Sequence, residues 1–377
     1  MNLLWFSWKD IKNPYAGGAE IVNDELAKRL VQDGHEVIFL TRSFARAEKE
    51  ETINGYKVIR VGNYRQVYWE AFKYYKKNLK GWADLIIEEV NTVPFFCNLY
   101  AKEKSILFFH QLCREIWFHE MGLLKGLVGY FLEAVYLMFL GSRDVITVSD
   151  STRKDLNRFG FKWDRIKIIS EGITISPVKE LEDLSKIKYE KPTILSFGAL
   201  RSMKRADHII RAFEITKKKI ANLQLIVAGD TTGKFGRKIL KMAENSSYKD
   251  SIQCLGKISW EKKIELMQKS HLIAVTSVKE GWGLVVTEAN SQGTPAVVYD
   301  VDGLRDSVKN DETGIICEKN NPENLSQKIV EILGDKEKYE RLRQNAWNWS
   351  KEITFEKSYE DFRKILNENF EKPQKEK

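Results

Sequence analysis

The segment Thr276–Gly303, TSVKEGWGLVVTEANSQGTPAVVYDVDG, decides the fold. An apolar run, Leu272–Val275, leads into it and stops at Ser277. Glu280 then meets a tight Gly281-Trp282-Gly283 turn, Leu284 opens a helical pattern, and Glu288 falls in its second turn. Gly293 and Pro295 close that helix, and Ala296–Tyr299 starts the next strand. Strand, acid, glycine turn, helix and strand make one unit of a parallel α/β fold. The glycines let the backbone approach a ligand closely, and the helix start offers unpaired N–H groups to an anion. Glu288 can accept two hydroxyl donors at once. The combination points to a phosphorylated sugar compound.

Outward from this segment the same alternation recurs. Strands are expected at Leu3–Phe6, His35–Leu40, Lys57–Val61, Asp84–Ile87, Ser105–Phe109 and Asp144–Val148, with a helix over Glu20–Gln32 closed by Gly34. A second series begins at Thr193–Gly198 and continues at Leu223–Ala228, Ile252–Leu255, Leu272–Val275 and Ala296–Tyr299. The 377 residues suffice for two domains with separate cores. The division expected is 1–175, a charged and irregular connection over 176–192, a second domain over 193–350, and a terminal helix and tail over 351–377. Phe355, Tyr359, Phe362, Ile365 and Leu366 recur at helical spacing, so that last helix is expected to pack back on the first domain. The final KPQKEK reads as a disordered tail. The fold class is α/β, two Rossmann-like, doubly wound parallel sheets facing a cleft, with ligands beyond the C-terminal strand ends.

That rule selects further candidates. Gly17 and Gly18 follow the first strand and precede a helix, where backbone N–H groups could cradle a phosphate. They do not complete a dinucleotide fingerprint, and a plain turn explains them equally well. His110 ends a strand, although a lone histidine is more often structural. In FGALRSMKRADHIIRAF, Arg201 and Lys204 lie between strand and helix, and two cations there could neutralise a diphosphate leaving group without a metal. A basic loop by itself is more often solvated surface; its pairing with the acid–glycine–helix segment favours ligand contact. Asp300-Val-Asp302 has the D-x-D form of a metal site, but a turn carboxylate accounts for it. Gly229–Lys234 is one residue short of a P-loop and is followed by Phe235.

Bulk properties narrow the partners. The net charge of +8 is spread evenly, with 25 basic against 22 acidic residues up to Ile175 and 36 against 31 beyond it. That is not the clustered footprint of a nucleic-acid binder, and no nucleic acid is expected. It suits anionic substrates or an anionic membrane surface. Cys97, Cys113, Cys254 and Cys317 have no metal spacing and read as thiols in a reducing compartment. Met1–Asp10 reads as a first strand, not a signal peptide. The apolar stretch Leu123–Gly141 contains Lys125 and Glu133, so it reads as a buried or surface-lying helix before a spanning one. Tyr68–Lys80, YWEAFKYYKKNLK, puts Lys73, Lys76, Lys77 and Lys80 on one helical face and Tyr68, Phe72, Tyr75 and Leu79 on another. Such a helix suits an anionic bilayer, and equally an ordinary solvated face over a core.

With these residues assembled, the chain resembles the family 4 retaining glycosyltransferases of the GT-B fold, over about residues 3–350. EGWGLVVTEANSQGTPAVV is similar to the family's E-G-F-G-L-x-x-x-E-A-x-x-x-G-x-P-V-V. GGAEIVNDELAKRLVQDGHEVIFLT and ITVSDSTRKDLNRFGF support it, and NTVPFF…FFHQLCREIWF resembles a subgroup pattern. The resemblance implies a nucleotide-diphosphate sugar donor, UDP- or GDP-linked, in the second domain and a glycan or lipid-linked acceptor at the first. No metal and no separate cofactor are implied. Glu288 would hold the ribose hydroxyls and Glu280 the sugar hydroxyls. Backbone around Gly281, Trp282, Gly283 and Leu284 would meet sugar or phosphate. Lys204, with Arg201, would meet the diphosphate, His110 the anomeric region, and Gly17–Gly18 would face the phosphates. Ala199 stands where the family often has Arg, which weakens the assignment of Arg201, and Glu171-Gly172 replaces the usual Asn-Gly. The expected localisation is cytoplasmic, peripheral at the inner face of the membrane. A nucleotide-sugar epimerase of the same architecture is the alternative; a nicotinamide dehydrogenase is disfavoured by the missing glycine fingerprint.

Overall fold

A computed structural model describes residues 1–370, so the KPQKEK tail lies outside the described residues. The chain forms two compact units. The first comprises residues 1–113, 130–172 and 355 onward, and the second 114–129 and 173–354. The helices in chain order are α1 Gly18–Gln32, α2 Val67–Tyr74, α3 Ile116–Met121, α4 Leu123–Leu140, α5 Asp150–Arg158, α6 Leu181–Ser185, α7 Ala206–Lys217, α8 Lys234–Glu244, α9 Trp260–Lys269, α10 Leu284–Ser291, α11 Leu304–Ser307, α12 Pro322–Gly334, α13 Lys336–Ser350 and α14 Phe355–Phe370.

The first unit holds β1 Asn2–Phe6, β2 Glu36–Thr41, β3 Glu50–Ile53, β4 Tyr56–Arg60, β5 Leu85–Glu89, β6 Lys104–Phe109, β7 Val145–Thr147 and β8 Ile166–Ile168. Their order across the sheet is β3-β4-β2-β1-β5-β6-β7-β8. All pairs are parallel except the β3–β4 hairpin. That hairpin was not anticipated, although its turn is Asn54-Gly55 with both φ angles positive, at 47° and 92°. Asn-Gly between strand runs is the strongest short-range hairpin signal. β1 is apolar without alternation because helices cover both its faces, and Leu3, Leu4, Trp5 and Phe6 are fully buried. The terminal helix packs on this unit as its spacing predicts. Phe355, Tyr359, Phe362, Ile365 and Leu366 join the core around Trp5, and Phe362 stacks on Trp5 at 6.0 Å. Tyr359 donates to Asp33 at 2.7 Å, and Ser170 donates to Asp361 at 2.5 Å.

The second unit holds β9 Thr193–Phe197, β10 Gln224–Ala228, β11 Ile252–Gly256, β12 Leu272–Val275, β13 Ala296–Val298 and β14 Gly314–Ile316. They form a wholly parallel sheet in the order β11-β10-β9-β12-β13-β14. The stretch 176–192 is no loose connection. It contains α6, whose Leu181 and Leu184 pack with Trp347. Trp347 donates to the Val178 carbonyl at 2.8 Å and Arg343 to the Leu181 carbonyl at 2.9 Å. Lys188 is half-buried, its ammonium donating to the carbonyl of Gly293 and the hydroxyl of Thr294 at 3.1 and 2.9 Å. Burial holds its amine well below the usual lysine range. One of the charges that suggested a solvated linker, Lys188, is thus engaged by backbone oxygens, while Glu182, Asp183 and Lys186 stay exposed.

Where α14 returns to the first unit, Gly172 is obligatory, because a Cβ there would lie 2.5 Å from the Phe355 ring. Its neighbour Glu171 is buried, with one carboxylate oxygen lacking a partner among the described residues. Burial pushes this carboxyl up to about 8.

Two predictions follow from this packing. Phe362→Ala should destabilise the first unit by about 3–5 kcal/mol, as truncation of a buried aromatic does; urea unfolding followed by circular dichroism reads it, and a change under about 1 kcal/mol would show that α14 is dispensable. Glu171 takes up its proton more readily folded than unfolded, so its neutral form favours folding below its unfolded pKa. That advantage is lost as the pH rises from about 4.5 to 8. Glu171→Gln should therefore gain stability relative to the parent through that window, by about 1.4 kcal/mol for each pH unit of elevation removed. Parallel stability–pH curves for the two proteins would refute it.

Candidate functional site

Parallel strands place their following loops at one sheet edge, and a ligand site forms where the strand order reverses. In the second unit that reversal lies between β9 and β12, which neighbour each other with β10 and β13 outside them. The loop after β9 carries Arg201 and Lys204; the loop after β12 carries Ser277, Glu280 and the glycine turn. The two loops are fastened together. Thr276 Oγ1 contacts the carbonyls of Lys204 and Arg205 at 3.0 and 2.9 Å. The Val278 N–H donates to the Met203 carbonyl at 2.8 Å. Arg205, at φ 49°, takes the left-handed conformation that turns the chain from this loop into α7.

This fastening brings Lys204 against Glu280. The ammonium donates to Glu280 Oε1, and Ser277 Oγ donates to the same oxygen at 2.5 Å. Sequence reasoning named both residues for the donor but not their contact. Arg201 goes elsewhere, pairing with Glu120 at 3.1 Å and leaving its side chain about half exposed. Glu120, near the end of α3, was not foreseen; it also accepts from the Met203 N–H at 3.4 Å.

The turn into α10 depends on glycine. Gly283 caps the helix at φ 98°, and a Cβ there would meet Leu304 at 2.8 Å. Gly303, at φ 78°, lies against the Glu280 backbone, where a Cβ would sit 2.4 Å from the carbonyl oxygen. Gly281 and Trp282 complete the turn, Leu284 begins α10, and Trp282 packs near Trp349 at 6.2 Å. The Trp282 indole N–H is buried without a partner among the described residues.

Glu288 lies in the second turn of α10 and is 5% exposed. Burial raises its carboxyl, and Lys263 opposes that by donating to it at 2.7 Å. Lys263, on α9, is itself buried and lies over the rings of Trp260 and Phe197 at 4.7 and 5.2 Å. Only a contact 25 positions apart makes this lysine visible, so the sequence carried no signal for it. Asp300 and Asp302 are engaged by Arg305, and Asp302 also by Lys279.

In the first unit the strand order reverses between β1 and β5. Ser7, just after β1, donates to Glu89 at the end of β5, and both are fully buried. Lys9 pairs with Glu20 at 3.2 Å, and Glu20 accepts the Gly17 N–H at 2.6 Å. Gly17 therefore uses its N–H to cap α1 through Glu20, and Gly18 is the first helical residue. His110 follows β6, with Nε2 3.3 Å from Asn23 and 4.0 Å from Glu89. Burial lowers His110 to about 3, so the imidazole is neutral at physiological pH. Burial, reinforced by the charge of Glu20, raises Glu89. This group of Ser7, Lys9, Glu20, Asn23 and Glu89 around His110 was missed; the adjacent Glu88-Glu89 pair at a strand end was its one signal.

Comparison with known proteins agrees with this architecture. The model of glycosyltransferase family 4 matches residues 16–176, and that of glycosyl transferases group 1 matches residues 178–349. The N-acetyl-alpha-D-glucosaminyl L-malate synthase of Bacillus anthracis is 24% identical over 369 residues, covering 88% of this chain and 89% of its own. Sucrose-phosphate synthase from Thermosynechococcus elongatus has a TM-score of 0.80 at 20% identity, over 98% of this chain and 99% of its own. Anabaena HepE in complex with UDP-glucose has a TM-score of 0.75 at 17% identity, over 98% and 100%. At those identities the structures speak to the fold, which is GT-B. Both matching models describe transferases, which disfavours the epimerase alternative. With the two models spanning residues 16–349 almost without a break, the chain belongs to the group 1, family 4 glycosyltransferases.

Proposed function

We propose that the second unit binds a nucleotide-diphosphate sugar, UDP- or GDP-linked, and that the enzyme transfers the sugar with retention to a hydroxyl of a glycan or lipid-linked glycan. The observation that carries this reading is the Lys204–Glu280 pair at the strand-order reversal, held by the Thr276 and Val278 contacts. A cation and a carboxylate already touching are ready to exchange partners. An incoming diphosphate draws Lys204 away, and the released Glu280 oxygen accepts a sugar hydroxyl. Glu288 serves the ribose hydroxyls from its buried position. The UDP-glucose bound to Anabaena HepE is a donor of the class proposed.

In the reaction the bond between the anomeric carbon and the diphosphate oxygen breaks. The acceptor oxygen bonds that carbon on the same face, and its proton passes to the departing phosphate. Lys204 meets the negative charge that builds on the leaving group, and Arg201 adds a second cation on giving up its pairing with Glu120, so these side chains supply the neutralisation without a metal. Neutral His110 contributes hydrogen bonding and no charge. Cys97, Cys113, Cys254 and Cys317 form no disulfide with one another, which suits a reducing, cytoplasmic setting.

Lys204→Ala should lower kcat about a hundredfold, equivalent to roughly 3 kcal/mol, with a far smaller change in donor affinity. Steady-state kinetics with calorimetric donor titration separate the two, and a variant that lost only affinity would overturn the assignment. Glu288→Gln should do the reverse, weakening donor binding about tenfold or more with little change in kcat, as expected for a lost charge-assisted hydrogen bond. A screen of nucleotide-diphosphate sugars identifies the donor, and the anomeric configuration of the product by NMR tests retention. No binding by any such compound would sink the reading.

A further inference from the structure

Helix α4 is built with its polarity reversed. Its buried face carries Gly126, Gly129, Glu133, Tyr136, Leu137 and Leu140. Glycine is needed there because a Cβ at Gly129 would lie 2.5 Å from the Trp117 ring, and one at Gly126 would lie 2.9 Å from Phe118. Glu133, the helix's sole carboxylate, points inward and accepts the Cys113 N–H at 2.7 Å. The outer face carries nine large apolar side chains, each 46–81% exposed, among them Leu124, Phe131, Val135 and Met138. At 100° per residue these nine fill an arc of about 180°. Lys125 is the one charged residue on the exposed side.

We propose that this outer face docks into the interface of an anionic phospholipid bilayer, with α4 lying in the membrane plane. The width of the apolar arc favours lipid. A packed partner helix covers a stripe of roughly 100°, whereas acyl chains wet the whole half-cylinder. By length and composition α4 could span a bilayer, but Tyr136, Leu137 and Leu140 belong to the core of the first unit and Tyr136 donates to the Thr92 carbonyl at 2.7 Å. Extracting the helix would dismantle that core.

Charge complementarity supplies the second argument. Phe139 of α4 packs near Phe96 at 6.3 Å, in the same loop where Phe95 and Tyr100 pack on Tyr68 and Phe72 at 4.8 and 4.9 Å. That loop therefore joins α4 to α2 and the π-helical turn Tyr75–Leu79 that continues it. Val67, Ala71, Tyr75 and Leu79 bury one side of this second helix in the core. Lys73, Lys76, Lys77 and Lys80 are exposed on the other, beside Trp69, which is 59% exposed. The lysine face thus covers a core, as a solvated face does, and it presents exposed positive charge on a helix that shares this aromatic loop with α4. Basic side chains next to a wide apolar face are the composition of a helix pair seated on anionic lipid.

The test is co-sedimentation of the full chain with vesicles of phosphatidylcholine alone, and of phosphatidylcholine mixed with phosphatidylglycerol, at low and high salt. The parent should partition onto the mixed vesicles most strongly at low salt. Phe131→Gln/Val135→Gln, and independently Leu132→Gln/Met138→Gln, should lose about tenfold or more of the partitioning on both vesicle types, with melting temperature and donor binding unchanged. Lys76→Gln/Lys77→Gln should lose only the salt-sensitive increment on the anionic vesicles. A parent protein that stays in the supernatant with both compositions at low salt overturns the proposal. So does a dimer in light scattering that the apolar variants dissolve while vesicle binding is absent, which would assign the face to a second copy of the chain. Because donor binding is read separately, failure here is distinguishable from failure of the proposed transferase function.

Discussion

Each sheet reverses its strand order beside its first strand, and a bond across that reversal sets the chemistry that follows. In the second unit Thr276, past the end of β12, contacts the carbonyls of Lys204 and Arg205 past the end of β9. In the first, Ser7 past β1 donates to Glu89 at the end of β5. Two neighbouring parallel strands whose connections leave in opposite directions open a crevice between their loops, and polar groups there need partners from the opposite loop. Side chains distant in sequence are thereby held at hydrogen-bond distance before any ligand arrives. Preorganisation of this kind is what lets charged groups act without reorganising during reaction.

The two reversals handle buried charge differently. In the second unit each important carboxylate has an ammonium partner: Lys204 on Glu280, Lys263 on Glu288, Lys279 on Asp302. An anionic ligand can compete for those cations while its hydroxyls take over the carboxylates, so the pairs suit a molecule carrying both phosphate and sugar. Around the first unit's reversal the named carboxylates, Glu20, Glu88 and Glu89, outnumber the one paired cation, Lys9. Lys9 serves Glu20, while Glu89 and Glu88 are buried with burial as the leading influence on each. Burial pushes both carboxyls up, and at Glu88 the N–H groups of Phe96 and Cys97, at 2.6 and 3.2 Å, oppose that shift by donating to the carboxylate. An uncharged His110 beside them fits the same low-dielectric surroundings.

Local signals were legible, and long-range ones were not. Gly283 could be singled out as part of the glycine turn, whereas the close approach that requires glycine at Gly303 became visible only in the fold. The α14 stripe was legible because five apolar residues at helical spacing need a core to cover them. Lys263 and Glu120 were invisible, since a lysine or glutamate on a helix looks solvated until the fold supplies its partner. The misreading of 176–192 has the same origin. Lys188 and the carboxylates around it look like a linker by composition, and only tertiary contacts with Gly293 and Thr294 show where the ammonium is held. The missed β3–β4 hairpin is a different failure, because Asn54-Gly55 stated it locally.

Helix α4 shows why hydrophobic content indicates that a face seeks cover without saying which face the fold covers. Lys125 and Glu133 appear in the linear sequence as interruptions of an apolar run. On the helix, however, Gly126, Gly129 and Glu133 recur at spacings of three and four, a second stripe as regular as the apolar one. Small residues allow backbones and rings to approach closely, as Trp117 and Phe118 do, and van der Waals contact rewards that approach whichever side is larger. The carboxylate finds the Cys113 N–H, so its burial is compensated by a charge-assisted hydrogen bond. The inner stripe thereby satisfies itself on shape and hydrogen bonding, leaving the large apolar side chains to face outward. In water such a face is a standing free-energy deficit, and its persistence over five turns is intelligible only in a chain whose working surroundings include something apolar to meet it.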